Sequence, residues 1–146
     1  MGKKLVMDSA PLVSVLMNCF NGEKFLREAI DSIINQTYKN WELVFWDNQS
    51  TDKSKAIFDS YQDERLKYYY APEHTDLGGG RANAFKYLYG DYIAVLDVDD
   101  IWLPTKLKKQ LQLFTDPDVG IVISNTLFFN ETDERILYDG GYPPED

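Results

Sequence analysis

Short apolar runs alternate with amphipathic segments along this chain, and the alternation restricts the folds that it can adopt. Residues 12–18, 41–47 and 65–71 are rich in β-branched and aromatic side chains, which is typical of buried strands. The segment after the first run has apolar residues at helical spacing. These are Phe25, Leu26, Ala29, Ile30, Ile33 and Ile34. Strands that alternate with helices predict a mostly parallel sheet with helices on both faces, which is an α/β fold.

Capping residues, glycines and prolines predict where the helices begin. Asn21 is the predicted N-cap of the first helix, and Ser50 that of a second helix that continues to about Tyr61. A glycine-rich turn at Gly78–Gly80 leads into a third, short helix. Pro104 stands where a fourth helix would start, because proline is tolerated in the first helical turn.

Further apolar runs predict more strands in the second half of the chain. One begins at Tyr92 and ends at Asp97, another covers residues 119–129, and the stretch RILYD at 135–139 is a shorter candidate. The chain has 146 residues, of which 44% are hydrophobic, and shows no repeat. We therefore expect a single globular domain over residues 1–146.

The charge and cysteine content exclude several classes of protein. A formal net charge of −9 argues against a nucleic acid polymer as partner, because phosphate backbones are bound by cationic surfaces. The single cysteine, Cys19, cannot form an intramolecular disulfide, which favours a reducing compartment and a buried thiol within a strand. No window approaches the 18 or so apolar residues of a membrane span, so we expect no transmembrane segment.

Polar side chains stand at the ends of three predicted strands. Asn18 ends the first strand and Asp47 the second, while Asp97, Asp99 and Asp100 follow the strand that begins at Tyr92. One acidic turn could be merely solvated, but ligands of open α/β sheets bind at the carboxyl ends of the strands. Three polar ends at the same edge therefore predict a binding site, and the clustered carboxylates suggest a metal ion.

The motifs together resemble the N-terminal part of a family 2 glycosyltransferase with the Rossmann-like GT-A fold. The resemblance covers residues 13–54, the segment around Arg81, and residues 90–110 with the D-x-D at Asp97 and Asp99. A lone D-x-D is common by chance, but its position after two βα units with these motifs is specific. The resemblance implies a nucleotide-sugar-binding domain that is truncated at its C-terminus.

The same resemblance implies roles for individual residues around a nucleotide-diphosphate sugar. The loop from Asn18 to Phe20 would hold the base together with Asp47 and Asn48, Asp97 would reach the ribose, and Asp99 would ligate a divalent cation. Mn²⁺ and Mg²⁺ prefer oxygen ligands and are often held by one or two carboxylates and substrate phosphates. One ligating aspartate is therefore sufficient.

Two further residues near the predicted site each have more than one possible role. Arg81 aligns with an arginine common in the family and would help to position the diphosphate or shape the adjacent loop, or else form an ordinary surface salt bridge. Asp100 would assist the metal or the sugar hydroxyls, or else cap the helix near Pro104. His74 has no second histidine or cysteine near it, so a zinc site is not expected.

The resemblance also implies the reaction. It would be a metal-dependent, inverting transfer of a sugar to a saccharide or lipid-linked acceptor in cell-surface polysaccharide or glycoconjugate synthesis, in the cytoplasm or at the inner face of the membrane. UDP- or dTDP-sugars are the favoured donors, although Asp47-Asn48 and Asn18-Cys19 depart from the usual family pairs. No acidic residue after Asp100 has the context of a catalytic base, which we expect downstream of residue 146.

Two other functions fit parts of the sequence. A nucleotide-binding module without catalytic activity would share the predicted site. The haloacid-dehalogenase-like phosphohydrolases also have an apolar strand that ends in D-x-D, but that strand normally begins their domain. Here two or three βα units precede it.

Overall fold

A computed structural model describes residues 10–129 and 134–136 of the chain. The chain divides into two compact units, with the boundary between Lys106 and Leu107. The first unit contains every residue for which the sequence predicts a role in a binding site.

A parallel four-stranded sheet forms the centre of the first unit. Its strands are β1 (Val13–Cys19), β2 (Trp41–Asp47), β3 (Leu66–Tyr70) and β4 (Tyr92–Val95), in the order β3-β2-β1-β4. β1 and β2 pair along their whole length, so that Cys19 lies level with Asp47. The predicted α/β sheet is confirmed, and Cys19 is fully buried within β1 as expected.

Four α-helices lie in the described residues. They are α1 (Leu26–Ile34), α2 (Ser54–Asp59), α3 (Leu77–Ala84) and α4 (Lys106–Leu113), and a 3₁₀ turn at Phe85–Tyr87 follows α3. The glycines of the predicted turn lie inside the first turns of α3. No helix in the described part of the chain has the length and apolar character needed to span a bilayer.

Alternating side chains of β2 pack on opposite faces of the sheet. On one face the Phe45 ring contacts Phe58 of α2 and Tyr68 of β3, with ring centroids 4.8 and 5.7 Å apart. On the other face Trp46 belongs to a buried cluster that includes Ala84 of α3. Because α2 and α3 contribute to opposite clusters, helices cover both faces of the sheet.

The first helix begins later than the sequence suggests. Asn21 has a positive φ of 54°, and α1 starts only at Leu26. The side-chain oxygen of Asn21 accepts a hydrogen bond from the main-chain N–H of Thr51, at 2.8 Å, instead of capping its own helix. The expectation of an Asn21 cap is therefore wrong, because a partner 30 residues away takes the capping group.

The predicted cap of the second helix is also wrong. Ser50 accepts a hydrogen bond from the main-chain N–H of Asn21 at 3.0 Å, and α2 starts at Ser54. The carboxylate of Asp52 accepts from the N–H of Ser54 at 2.9 Å and so serves the first turn of α2. This helix ends at Asp59, two residues before the predicted end.

The second unit contains an antiparallel pair, β5 (Leu127–Phe129) and β6 (Glu134–Ile136). The strand predicted at 119–129 is wrong for residues 119–126, which have no regular structure. Ile121 is 83% exposed, so its β-branched side chain has not found the packed surface that stabilises a strand. The predicted strand at 135–139 overlaps β6, and residues 137–139 lie outside the described part.

Gly90 lies where the chain enters β4 and touches the start of β1. Its N–H donates to the Ser14 hydroxyl at 2.7 Å, and the next residue, Asp91, accepts from the N–H of Leu12 at 2.8 Å. A Cβ on Gly90 would lie only 2.5 Å from the main-chain nitrogen of Ser14. The close approach of two main chains therefore requires glycine here.

Candidate functional site

A cleft of about 480 Å³ lies at the carboxyl ends of β1, β2 and β4. Its lining includes Asn18 and Phe20 after β1, Asn48 after β2, and Asp97 and Asp99 after β4. The structure thus brings together five of the eight residues for which the sequence predicts a site role. A parallel sheet places these strand ends at one edge, where its ligands bind.

Asp47 lies beside the cleft and does not line it. Its side chain is 1% exposed, with one carboxylate oxygen 2.7 Å from the N–H of Ser50 and the other 2.6 Å from the Tyr68 hydroxyl. Burial and the Asp47 carboxylate raise the pKa of Tyr68, which therefore stays protonated and donates. These bonds fix the turn that carries Asn48.

We expect Tyr68→Phe to lower the free energy of unfolding by about 2 kcal/mol, because it leaves a buried carboxylate oxygen without its donor. Tyr70→Phe is the matched control, since Tyr70 lies on the same strand with 56% of its surface exposed. Urea denaturation of both variants measures the difference. Equal midpoints for the two variants would contradict the assigned role of the Tyr68 hydroxyl.

The side chain of Asn48 is bonded to the main chain of Thr75. Its Nδ2 donates to the Thr75 carbonyl at 2.7 Å, and its Oδ1 accepts from the Thr75 N–H at 3.2 Å. The main-chain oxygen of Asn48 lies 2.8 Å from Nδ1 of His74. Asn48 is 2% exposed, so it borders the cleft mainly by holding this neighbouring segment.

Residues 74–77 form the remaining wall of the cleft, and we call them the 74–77 arm. This wall was not predicted from the sequence. His74 was considered only as a zinc ligand and Asp76 had no predicted role, although Asp76 caps α3 by accepting from the N–H of Gly79 at 2.7 Å. The sequence feature in this segment is an aspartate shortly before three glycines. That pattern predicts the start of a helix and not the wall of a cleft.

Arg81 lies in α3 and forms an ion pair with Asp97 at the cleft. The predicted salt bridge thus exists, but its partner is one of the predicted site residues. The guanidinium Nε of Arg81 and the side-chain oxygen of Asn18 are buried without hydrogen-bond partners in the described structure. A Cβ on Gly80 would lie 2.4 Å from that Asn18 oxygen, so α3 packs closely against the end of β1.

The acidic segment after β4 begins at Asp97 and continues into exposed residues. The N–H of Asp100 donates to the main-chain oxygen of Asp97 at 3.1 Å, which closes a turn, while Asp99 is exposed at the cleft. Partial desolvation, together with the charges of Asp99 and Asp97, raises the pKa of Asp100. Asp100 itself does not line the cleft.

The acidic segment is suited to a cation only with further ligands from outside the described residues. Within residues 10–129 and 134–136, no three acidic, histidine or cysteine side chains are arranged to hold a metal ion. An exposed carboxylate at a cleft can, however, combine with phosphate oxygens of a bound substrate, which is how Mg²⁺ is usually held. Asp99 is exposed and lines the cleft.

Reciprocal hydrogen bonds join the loop after β1 to the loop after β2. The N–H of Glu23 donates to Asp52 at 2.9 Å, and the Glu23 carboxylate accepts from the N–H of Lys53 at 2.9 Å. Burial would raise the pKa of Asp52, but hydrogen bonds from Ser54 and the main chain lower it overall. These hydrogen bonds therefore hold together the two loops that carry Phe20 and Asn48.

Comparison with known sequences gives a family match over most of the chain. The model of Glycosyl transferase family 2 matches residues 14–141. Escherichia coli WfgD, a UDP-Glc:alpha-D-GlcNAc-diphosphoundecaprenol beta-1,3-glucosyltransferase, is 34% identical over 119 residues, covering 82% of this chain and 47% of the relative. TuaG of Bacillus subtilis, a putative teichuronic acid biosynthesis glycosyltransferase, is 33% identical over 108 residues. The match covers 73% of this chain and 43% of TuaG. The chain thus spans about half the length of these relatives.

Solved structures share the fold. S. aureus TarS 1-349 in complex with UDP-GlcNAc has a TM-score of 0.67 and 26% identity, covering 70% of this chain and 31% of that one. The mannosyltransferase PcManGT from Pyrobaculum calidifontis, solved with GDP-Man and Mn²⁺, has a TM-score of 0.71 over 77% of this chain and 35% of that one. Its identity of 23% supports likeness of fold alone.

Proposed function

Because this chain belongs to glycosyl transferase family 2, we propose that its cleft binds the nucleotide-diphosphate sugar of a sugar-transfer reaction. The observation that carries the proposal is that Asn18, Phe20, Asn48, Asp97 and Asp99, drawn from three strand ends, line one cleft. TarS, whose fold is similar, was solved with UDP and with UDP-GlcNAc. Family membership leaves no ground for the phosphohydrolase alternative.

The donor would lie across the strand ends with its base near Phe20 and its diphosphate near the acidic segment. Asp47 and Asn48 support the base end, and Asp97 reaches the ribose. Arg81 has four N–H donors beyond the one bonded to Asp97 and supplies positive charge for the diphosphate. Its buried Nε without a partner supports a role in which a ligand or water completes its hydrogen bonds.

The cation would be Mn²⁺ or Mg²⁺, held by Asp99 and the diphosphate, with Asp100 as an auxiliary group. When bound, such an ion neutralises negative charge that develops on the departing diphosphate. The carboxylates of this chain supply the oxygen ligands that both ions prefer. One structural neighbour was solved with Mn²⁺.

The reaction would transfer the sugar, with inversion, to a saccharide or lipid-linked acceptor in cell-envelope synthesis. The names of WfgD and TuaG support this class of pathway, since one acts on a diphosphoundecaprenol-linked sugar and the other is assigned to teichuronic acid biosynthesis. UDP- or dTDP-sugars remain the favoured donors. WfgD uses UDP-Glc, which supports a uridine donor.

A thermal-shift panel tests the donor proposal. We expect UDP to raise the melting temperature of the 146-residue chain in Mn²⁺ and not in excess chelator, because the diphosphate and the acidic cleft otherwise repel each other. Ligand at 100 times its Kd adds about 2.7 kcal/mol of stability. ADP in the same buffer is the matched control for the base. Equal stabilisation with and without chelator would contradict the assigned role of the metal.

A further inference from the structure

We propose that His74 contacts the base of the bound nucleotide and that Asn48 is the residue that positions His74. This rests on the proposed donor site. His74 lines the cleft, and its ring centroid is 4.4 Å from that of Phe20, with the ring planes at 56°. Phe20 is 50% exposed, so the two rings present an aromatic surface that a base can cover.

The hydrogen bonds of Asn48 explain how His74 is held. Both polar atoms of its amide are bonded to Thr75, and its main-chain oxygen is bonded to His74. An amide with both functions occupied by the main chain has little capacity left for a base edge. Asn48 therefore acts on the ligand through the 74–77 arm and not by its own side chain.

The same contact fixes the hydrogen on the His74 ring. A carbonyl oxygen only accepts, so Nδ1 must donate to Asn48, and Nε2 of the neutral ring is then an acceptor. Within the described structure Nε2 has no protein partner. It suits a base with a ring N–H, as in uracil at N3, and not cytosine, which has an acceptor at that position.

Binding of UDP, CDP and pyrophosphate in Mn²⁺, measured by calorimetry on the full 146-residue chain, separates the contributions. We expect His74→Ala to weaken UDP binding about tenfold, as for loss of one aromatic–base contact. Pyrophosphate has no base, so its affinity should not change. His74→Phe keeps a ring but loses Nε2, and should reduce the preference for UDP over CDP.

The positioning role of Asn48 is tested with a change that keeps an acceptor. If the side-chain oxygen of Asn48 accepted a hydrogen bond from the base, Asn48→Asp would preserve base binding. The substitution also removes the N–H donor to the Thr75 carbonyl and places a carboxylate oxygen next to that carbonyl. We expect UDP to weaken as much as in His74→Ala, and the double variant to lose no more. Gln49→Glu is the matched control, because it adds the same charge at the neighbouring amide, which does not line the cleft.

The outcomes distinguish this inference from the proposed function. If UDP and pyrophosphate bind with Mn²⁺ but His74→Ala leaves UDP unchanged, the inference is wrong and the donor site stands. An equal loss of UDP and pyrophosphate in His74→Ala would also overturn it, since the effect would then be general damage. If neither ligand binds the unaltered chain, the donor site itself is wrong and the inference falls with it.

Discussion

Asp99→Asn should weaken the Mn²⁺-dependent binding of UDP by roughly 100-fold, equivalent to about 2.8 kcal/mol. The replacement keeps the shape of the side chain and removes the negative charge that a divalent ion requires. Asp99 lines the cleft, is exposed, and forms no hydrogen bond or ion pair within the described structure. Its loss therefore leaves protein packing unaltered, and melting without ligand should not change.

Asp100→Asn is the matched control, because it removes the same charge from the next residue, which does not line the cleft. We expect a smaller loss, since Asp100 can act on the ion only as an auxiliary. Calorimetric titration of UDP at fixed Mn²⁺ compares the two variants. A larger loss in Asp100→Asn than in Asp99→Asn would mean that the metal ligand lies one position further along.

Gly90→Ala should lower the free energy of unfolding by about 3 kcal/mol. The added methyl would lie 2.5 Å from the main-chain nitrogen of Ser14 and 2.8 Å from the carbonyl oxygen of Leu12. Both are main-chain atoms that pair β1 with its neighbours, so they cannot rotate away as a side chain could. Relief of the overlap must separate β1 from β4 or break their hydrogen bonds.

Gly78→Ala provides the comparison for this substitution. A Cβ at Gly78 has only the Asp76 carboxylate nearby, at 3.7 Å, and alanine favours the helix α3 that contains it. Urea denaturation should show a stability equal to or above that of the unaltered chain. A Gly90→Ala chain that unfolds at the same urea concentration as Gly78→Ala would show that the two strands can separate at little cost.

The two central strands, β1 and β2, were predictable because their side chains are buried on both faces of the sheet. β1, β2 and β3 lie within one or two residues of the runs read from the sequence, and the interior positions of β1 and β2 are almost all buried. In a parallel sheet covered by helices, burial alone produces a continuous apolar run. The polar residues that end these runs were therefore visible as well.

The loops were less predictable because their polar side chains bind distant residues. Asn21 and Ser50 are residue types that often cap helices. Here the side chain of Asn21, in the loop after β1, is hydrogen-bonded to the loop after β2, and the side chain of Ser50 is hydrogen-bonded to the loop after β1. His74 contacts Asn48, which is 26 residues away in the sequence, and no local sequence pattern predicts that contact. A local sequence pattern reflects only interactions between neighbouring residues, whereas the cleft depends on contacts between residues that are distant in sequence.

The strand order has a consequence for how the chain folds. The hydrogen bond between Ser14 and Glu42 on β1 and β2 joins residues 28 positions apart, whereas that between Leu12 and Asp91, beside β4, spans 79 positions. Loop closure over the longer span costs about 0.9 kcal/mol more. Chain entropy thus favours a pathway in which β1 and β2 form the nucleus and β4 docks afterwards. The carboxylates after β4 would then reach their places only late in folding, after the base end of the cleft has already formed.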